Sequence, residues 1–196
     1  MVVLPLPLTI IKHAKELDGK STAVHAKLLA SSQTEIILYD PKNENKTIDG
    51  IPTDECLLLF PSAQAKTVDQ IHDWTCIKRL IVIDGTWQQA KAMLNSQPFS
   101  HLSGRTVKLG KPYETLFWRY QSLGPHCLST IEAIYRFYQE LARLENGYFD
   151  SELKQLDNLL FFFSFQFGLV QQDYAQNPQR HFTSKHRPGY IISRTK

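Results

Sequence analysis

Cysteine is scarce in this chain, and the three present, Cys56, Cys76 and Cys127, form no CxxC pair. An odd, scattered set argues against both a disulfide framework and a thiolate zinc site. His13 and Glu16 stand too close together to define a metal site, and no paired cysteines accompany them, so no metal is expected. Also missing is a glycine-rich phosphate loop, because Asp84-Gly85-Thr86 has the wrong spacing for a Walker or dinucleotide fingerprint. The most apolar run, Leu159 to Phe165, is bracketed too closely by Lys154, Asp157 and Gln166 to span a membrane, and it reads as a core helix. Val2 to Leu8, with Pro5 and Pro7, lacks the basic start and cleavage site of a secretory leader. No repeat or low-complexity segment is visible. The expectation is a cytoplasmic protein without membrane contact.

What is there suits one soluble domain: 196 residues, 42% apolar and 21% charged, are enough for a substantial core. The net charge of +3 conceals an asymmetry, since residues 174–196 contain Arg180, Lys185, Arg187, Arg194 and Lys196 and no acid. A basic tail on a near-neutral body is a nucleic-acid footprint, with Arg180, Lys185 and Arg187 as candidate phosphate contacts. Composition alone fits a solvated terminus as well. The expected division is a domain over residues 1–175 and a basic tail over 176–196.

Strands and helices alternate along the chain. Strands are expected at Leu8–Ile11, Glu35–Asp40, Leu57–Phe60, Leu80–Ile83 and Thr106–Leu109. The third is continuously apolar and reads as buried on both faces. Helices are expected after Ser21-Thr22, from about Gln64 to Trp74, from Trp87 to Leu94, and behind Ser129-Thr130-Ile131-Glu132, which has capping-box spacing. A last helix, capped by Asp150 or Ser151, should run to about Gln171. The polar stretch Pro41 to Asp54 is a loop. This alternation predicts a single α/β domain with a mostly parallel sheet flanked by helices.

The richest stretch is Leu80-Ile81-Val82-Ile83-Asp84-Gly85-Thr86-Trp87, where a buried-type strand ends in an acid and a helix begins almost at once. Such a junction puts a carboxylate at a sheet's carboxyl edge, where α/β proteins hold their ligands. Asp84 would also look like this if it only capped the helix, accepting the amide of Thr86 or Trp87. The words Asp84-Gly85-Thr86-Trp87, His13-Ala14-Lys15-Glu16, Ser21-Thr22, Phe60-Pro61-Ser62 and Leu128-Ser129-Thr130-Ile131-Glu132-Ala133 occur in an order that resembles the DTW-domain family. Arg119 lies near the place of that family's arginine, and the resemblance covers roughly residues 8–145. Many members carry a cysteine-rich segment upstream of the first strand; this chain has none.

The family comprises tRNA-uridine aminocarboxypropyltransferases related to SPOUT-type RNA methyltransferases. The resemblance therefore implies a SPOUT-like trefoil knot in the C-terminal half, with knot loops around Phe60–Ser62 and Leu128–Thr130. It further implies transfer of a 3-amino-3-carboxypropyl group from S-adenosylmethionine to N3 of a uridine in tRNA, with methylthioadenosine released. Asp84 and Trp87 are the candidate catalytic residues. Ser21, Thr22, Phe60, Pro61, Ser62, Asp84, Thr86, Trp87, Leu128, Ser129 and Thr130 are candidates for holding the donor. Asp84 is either the base that takes the N3 proton, a role that partial burial strengthens, or the anchor of the donor's ammonium group or of the loop. Trp87 either walls the donor pocket or belongs to the core, and Arg119 either pairs with the donor carboxylate or a tRNA phosphate or is simply solvated. Two rivals stand beside this reading: an RNA methyltransferase of the same fold, and a non-catalytic RNA-binding protein, in which Asp84 or Trp87 should have been replaced.

Overall fold

A parallel sheet must be covered on both faces, and the period-two pattern of the central strands assigns a different layer of helices to each. The computed structural model describes residues 1–42, 53–119, 124–144 and 153–177. In chain order the elements are β1 (Leu8–His13), α1 (Ala23–Leu29), β2 (Thr34–Tyr39), β3 (Cys56–Leu59), β4 (Lys66–Thr67), β5 (Arg79–Asp84), α2 (Trp87–Leu94), α3 (Gln97–Ser100), β6 (Thr106–Lys108), α4 (Thr130–Leu141), α5 (Leu153–Leu156) and α6 (Phe161–Gln176). The strands form one six-stranded sheet in the order β2-β1-β5-β3-β6-β4, and every pairing is parallel.

Leu8, Ile10, Leu80 and Val82 share one face and pack with Ala23 and Ala26 of α1 and Ile131 and Ile134 of α4. Ile11, Ile81 and Ile83 point the other way, onto Ala90 and Met93 of α2 and Phe99 of α3. Each such aliphatic side chain contributes about 1.5–3 kcal/mol when fully buried. On α4 the buried Tyr138 hydroxyl donates to the Leu6 carbonyl at 2.8 Å, and burial pushes its pKa well above the usual phenol value. That bond ties the segment before β1 to the helix that covers it.

Strand order locates the ligand crevice. From β1 the chain runs through α1 outward to β2; from β5 it runs through α2 and α3 to β6, on the opposite side. The connections part between β1 and β5, the switch point at which open α/β sheets leave a crevice outside their carboxyl ends. Residues 8–12 of β1 and 80–84 of β5 run in register there, with Lys12 opposite Asp84.

Three expectations need correction. No helix forms over Gln64–Trp74: Lys66–Thr67 pairs with β6, and Val68–Gln70 makes one 3-10 turn capped by the bond from Thr67 N to Gln70 Oε1. Edge pairing with β6 outcompetes helix formation at the β-branched Thr67 and Val68. The last helix is broken, with a 3-10 turn over Asp157–Leu160 between α5 and α6, and it runs on to Gln176. Its expected caps, Asp150 and Ser151, lie outside the described residues, as do positions 43–52 of the expected loop. Finally, Leu159–Phe165 is only half core. Leu159 and Phe163 are buried, the latter against Phe117 and Trp118, whereas Phe161 and Phe165 are exposed on the outer face of α6.

Candidate active site at the carboxyl edge

The site is assembled from the pleat. Because Leu80 and Val82 face α1 and α4, Asp84, two residues further on, projects toward the same helices. It is buried at 3% exposure, and both its oxygens are engaged. Ser21 Oγ donates to Oδ2 and Thr130 Oγ1 to Oδ1, each at 2.7 Å. One carboxylate thus holds the entrances of α1 and α4 against the end of β5. Asp84 does not cap α2. That place belongs to Thr86, whose Oγ1 accepts the Gln89 amide while Gln89 Oε1 accepts the Thr86 amide.

Further bonds lock the same junction. Thr22 Oγ1 accepts the amide of Ile131 at 3.1 Å, joining the start of α1 to that of α4. Ser129 Oγ donates to Glu132 Oε2 at 2.7 Å. Glu132 also accepts the Thr115 hydroxyl and the Leu116 amide, so one buried carboxylate fastens the 115–119 segment to α4. Thr22 and Ser129, proposed from sequence as donor-binding hydroxyls, are therefore engaged in holding the frame. Gly85 sits at a close approach: a Cβ there would lie 3.1 Å from Gln89 Oε1 and 3.3 Å from the Cβ of His13, so a side chain would crowd both.

Over the β1 and β5 ends arches the connection from Ala14 to Thr22. Two turns compact it, one closed by the Glu16 amide on the His13 carbonyl, the next by the Lys20 and Ser21 amides on the Leu17 carbonyl. His13 Nδ1 accepts the Lys15 amide, and burial, followed by the Lys15 charge, lowers the imidazole pKa. Arg119 lies against the arch, donating to the Lys20 carbonyl at 3.2 Å and the Gly19 carbonyl at 3.4 Å, with its guanidinium over Phe117. Those carbonyls accept its hydrogen bonds, while its charge also acts on the Glu16 carboxyl. Beneath the arch Lys12 pairs with Asp18 at 2.7 Å. Burial, then the negative charge of Asp84, raises the Glu16 carboxyl pKa above its ordinary value, against the opposing pull of Arg119, Lys12 and Lys20.

Phe60 and Trp87 lie at the same sheet edge but on its other face. Phe60, leaving β3, is buried and lies 6.2 Å from the half-buried Trp87 ring, both within the α2 and α3 layer. Ser62 Oγ is 2.6 Å from Thr106 Oγ1. Pro61 is exposed and Leu128 half-buried. The structure thus brings Ser21, Asp84 and Thr130 into direct contact and places Phe60 with Trp87, but Trp87 does not share the Asp84 carboxylate's side of the sheet. Arg180, Lys185 and Arg187 lie outside the described residues. Among the described residues no group of three metal-ligating side chains occurs, and no helix is long and apolar enough to cross a membrane.

Reading the sequence missed Lys12. The available signal was a cation closing the otherwise buried run Leu8-Thr9-Ile10-Ile11, one position before the family-like word that begins at His13. Glu132 was read only as a capping-box acid, because its partners Thr115 and Leu116 are not adjacent to it in the chain.

A family model described as the DTW domain matches residues 1–170. The chain belongs to the DTW-domain family. Among its relatives is the tRNA-uridine aminocarboxypropyltransferase 1 of Rattus norvegicus, 32% identical over 87% of this chain and 67% of the rat protein. Proteins of the same name from Xenopus tropicalis (30% identical, 87% and 69%) and Homo sapiens (33% identical, 85% and 66%) are similar over comparable spans. No solved structure matches this DTW chain.

Glu16 gives a stability test. Its folded-state pKa is raised, so the folded protein binds that proton more tightly than the unfolded chain. The resulting penalty is absent below the unfolded pKa and fully present above the folded one. Glu16→Gln should therefore melt higher than wild type at neutral pH, with the gain vanishing as pH falls through the carboxylate range. A variant less stable than wild type at neutral pH would show that attraction to Arg119, Lys12 and Lys20 dominates instead.

Proposed function

We propose that this protein transfers a 3-amino-3-carboxypropyl group from S-adenosylmethionine to N3 of a uridine in tRNA and releases methylthioadenosine. The observation that carries the reading is Asp84, buried at the β1/β5 switch point with both oxygens fixed by hydroxyls and with charges of both signs around it. The names of the relatives supply the reaction class. The donor supplies a sulfonium whose departure as a neutral thioether requires neither a general acid nor a Lewis acid.

The protein's task is then orientation, because three carbons flank the sulfonium and only one must face the nucleophile. Asp84 is assigned to the ammonium of the transferred group. Held at the end of β5 by two donated hydroxyls, it is assigned as an anchor rather than as the base. Glu16, half-buried on the arch with a raised pKa, is assigned the N3 proton. In the step the N3–Cγ bond forms, the Cγ–S bond breaks with its electron pair going to sulfur, and the proton passes to Glu16. Ser21, Thr22, Ser129 and Thr130 position these groups. Phe60, Pro61, Ser62, Thr86, Trp87 and Leu128 are assigned to the nucleoside end of the donor or to the target base. The SPOUT-like trefoil knot belongs to the same reading; the entry of β5 between β1 and β3, and of β6 between β3 and β4, supports it.

Mass spectrometry of nucleosides from tRNA incubated with the protein and S-adenosylmethionine should show an aminocarboxypropyl group on uridine, with methylthioadenosine as co-product. A methylated base with S-adenosylhomocysteine would replace this reading with the methyltransferase. No product of either kind would favour the RNA-binding rival. Glu16→Gln should lower kcat by roughly two to four orders of magnitude with donor affinity retained, the deficit shrinking at high pH where the imide ionises unaided. Asp84→Asn should instead weaken donor binding, and the reverse pattern would exchange the two roles.

Arg180, Lys185 and Arg187 are assigned to tRNA phosphates on their charge pattern. Replacing all three by Ala should flatten the dependence of log affinity on log salt by about 0.7–0.9 per lost contact. An unchanged slope would remove the tail from the RNA interface.

A further inference from the structure

Lys12 is a buried cation whose ion-pair partner lies in solvent. It closes β1 on the face of Leu8 and Ile10, its side chain is 9% exposed, and its ion-pair partner Asp18 is 83% exposed. Withdrawing an ammonium from water costs more than a pair with a solvated carboxylate returns, since solvent screens such pairs to little net value. A cation kept under those terms suits a second anion that is buried beside it, where solvent no longer screens the pair.

The geometry shows where that anion would lie. Lys12 and Asp84 are register partners on adjacent parallel strands, so their side chains rise side by side from strands about 4.8 Å apart. Asp84 is engaged by Ser21 and Thr130, which leaves Lys12 and Asp84 as neighbouring, separately held charges of opposite sign. The 3-amino-3-carboxypropyl group carries an ammonium and a carboxylate on one carbon, and the methylthioadenosine left behind carries neither. Arg119 is committed to the Gly19 and Lys20 carbonyls, and Lys15 and Lys20 lie on the arch, not on the strand beside Asp84.

We propose that Lys12 binds the carboxylate of the transferred group, exchanging Asp18 for it, while Asp84 faces the ammonium. This rests on the donor assigned above, and it makes Lys12 a determinant of aminocarboxypropyl over methyl transfer, because a methyl donor has no need to fix its amino-acid end at the reacting position.

Calorimetry on the full chain with S-adenosylmethionine and, separately, methylthioadenosine tests it. Lys12→Gln should weaken S-adenosylmethionine binding roughly ten- to a hundredfold, the effect of losing one charge-assisted hydrogen bond, and leave methylthioadenosine binding unchanged. Lys12→Arg should restore part of the loss. Asp18→Asn should tighten S-adenosylmethionine binding severalfold by removing the competitor. Equal weakening of both ligands by Lys12→Gln, or of neither, overturns the proposal, as does an Asp18→Asn variant that fails to bind the donor more tightly than wild type. If Lys12→Gln does not fold, the Asp18→Asn result decides alone. Wild-type protein that binds neither ligand would instead refute the assigned donor, a distinguishable failure.

Discussion

A buried carboxylate that accepts two hydroxyl hydrogen bonds from distant segments is the constraint on which the carboxyl edge of this sheet depends. Asp84 reaches Ser21, 63 positions away, and Thr130, 46 positions away, and in doing so fixes where α1 and α4 begin. The bonds from Ile131 N to Thr22 and from Thr115 and Leu116 to Glu132 extend the same frame to the 115–119 segment, and Arg119 then leans on the arch above β1. Removing one partner from such a network leaves buried donors or acceptors unmatched, which costs more than the hydrogen bond itself contributes.

The frame also sorts charge. Burial, then the charge of Asp84, raises the Glu16 carboxyl pKa, and Arg119, Lys12 and Lys20 only partly offset this. An arch carrying an acid of raised pKa above a fixed anion and a sequestered lysine can meet a zwitterionic group and accept a proton in one place. That combination ties the DTW-domain fold to the proposed transfer, and it relies on side chains from β1, β5 and their connections more than on the aromatic pair Phe60 and Trp87.

Much of this was legible in sequence for a physical reason: β5 is apolar from Leu80 to Ile83 and ends at the buried charge of Asp84. Asp84 and the helix after it could be located that way, and Ser129 to Glu132 could be read as a helix start. What stayed hidden depends on pairing between remote segments. The bonds that Ser21 and Thr130 make to one carboxylate, the grip of Glu132 on Thr115, and the register of Lys12 with Asp84 have no local signature. Gln64 to Trp74 was misread because two residues of edge pairing with β6 override a local pattern, and Leu159 to Phe165 because an apolar run does not reveal which of its faces the domain leaves uncovered.

The central claim is that Asp84 acts as the joint between β5, α1 and α4, and a double-mutant cycle of Ser21→Ala and Asp84→Asn read by denaturant unfolding tests it most directly. If the two residues stabilise the fold through their shared bond, the effects will be non-additive, with a coupling of about 1–3 kcal/mol. Strictly additive effects would contradict the account, because Ser21 and Asp84 would then contribute independently and the carboxyl edge would be held by something else.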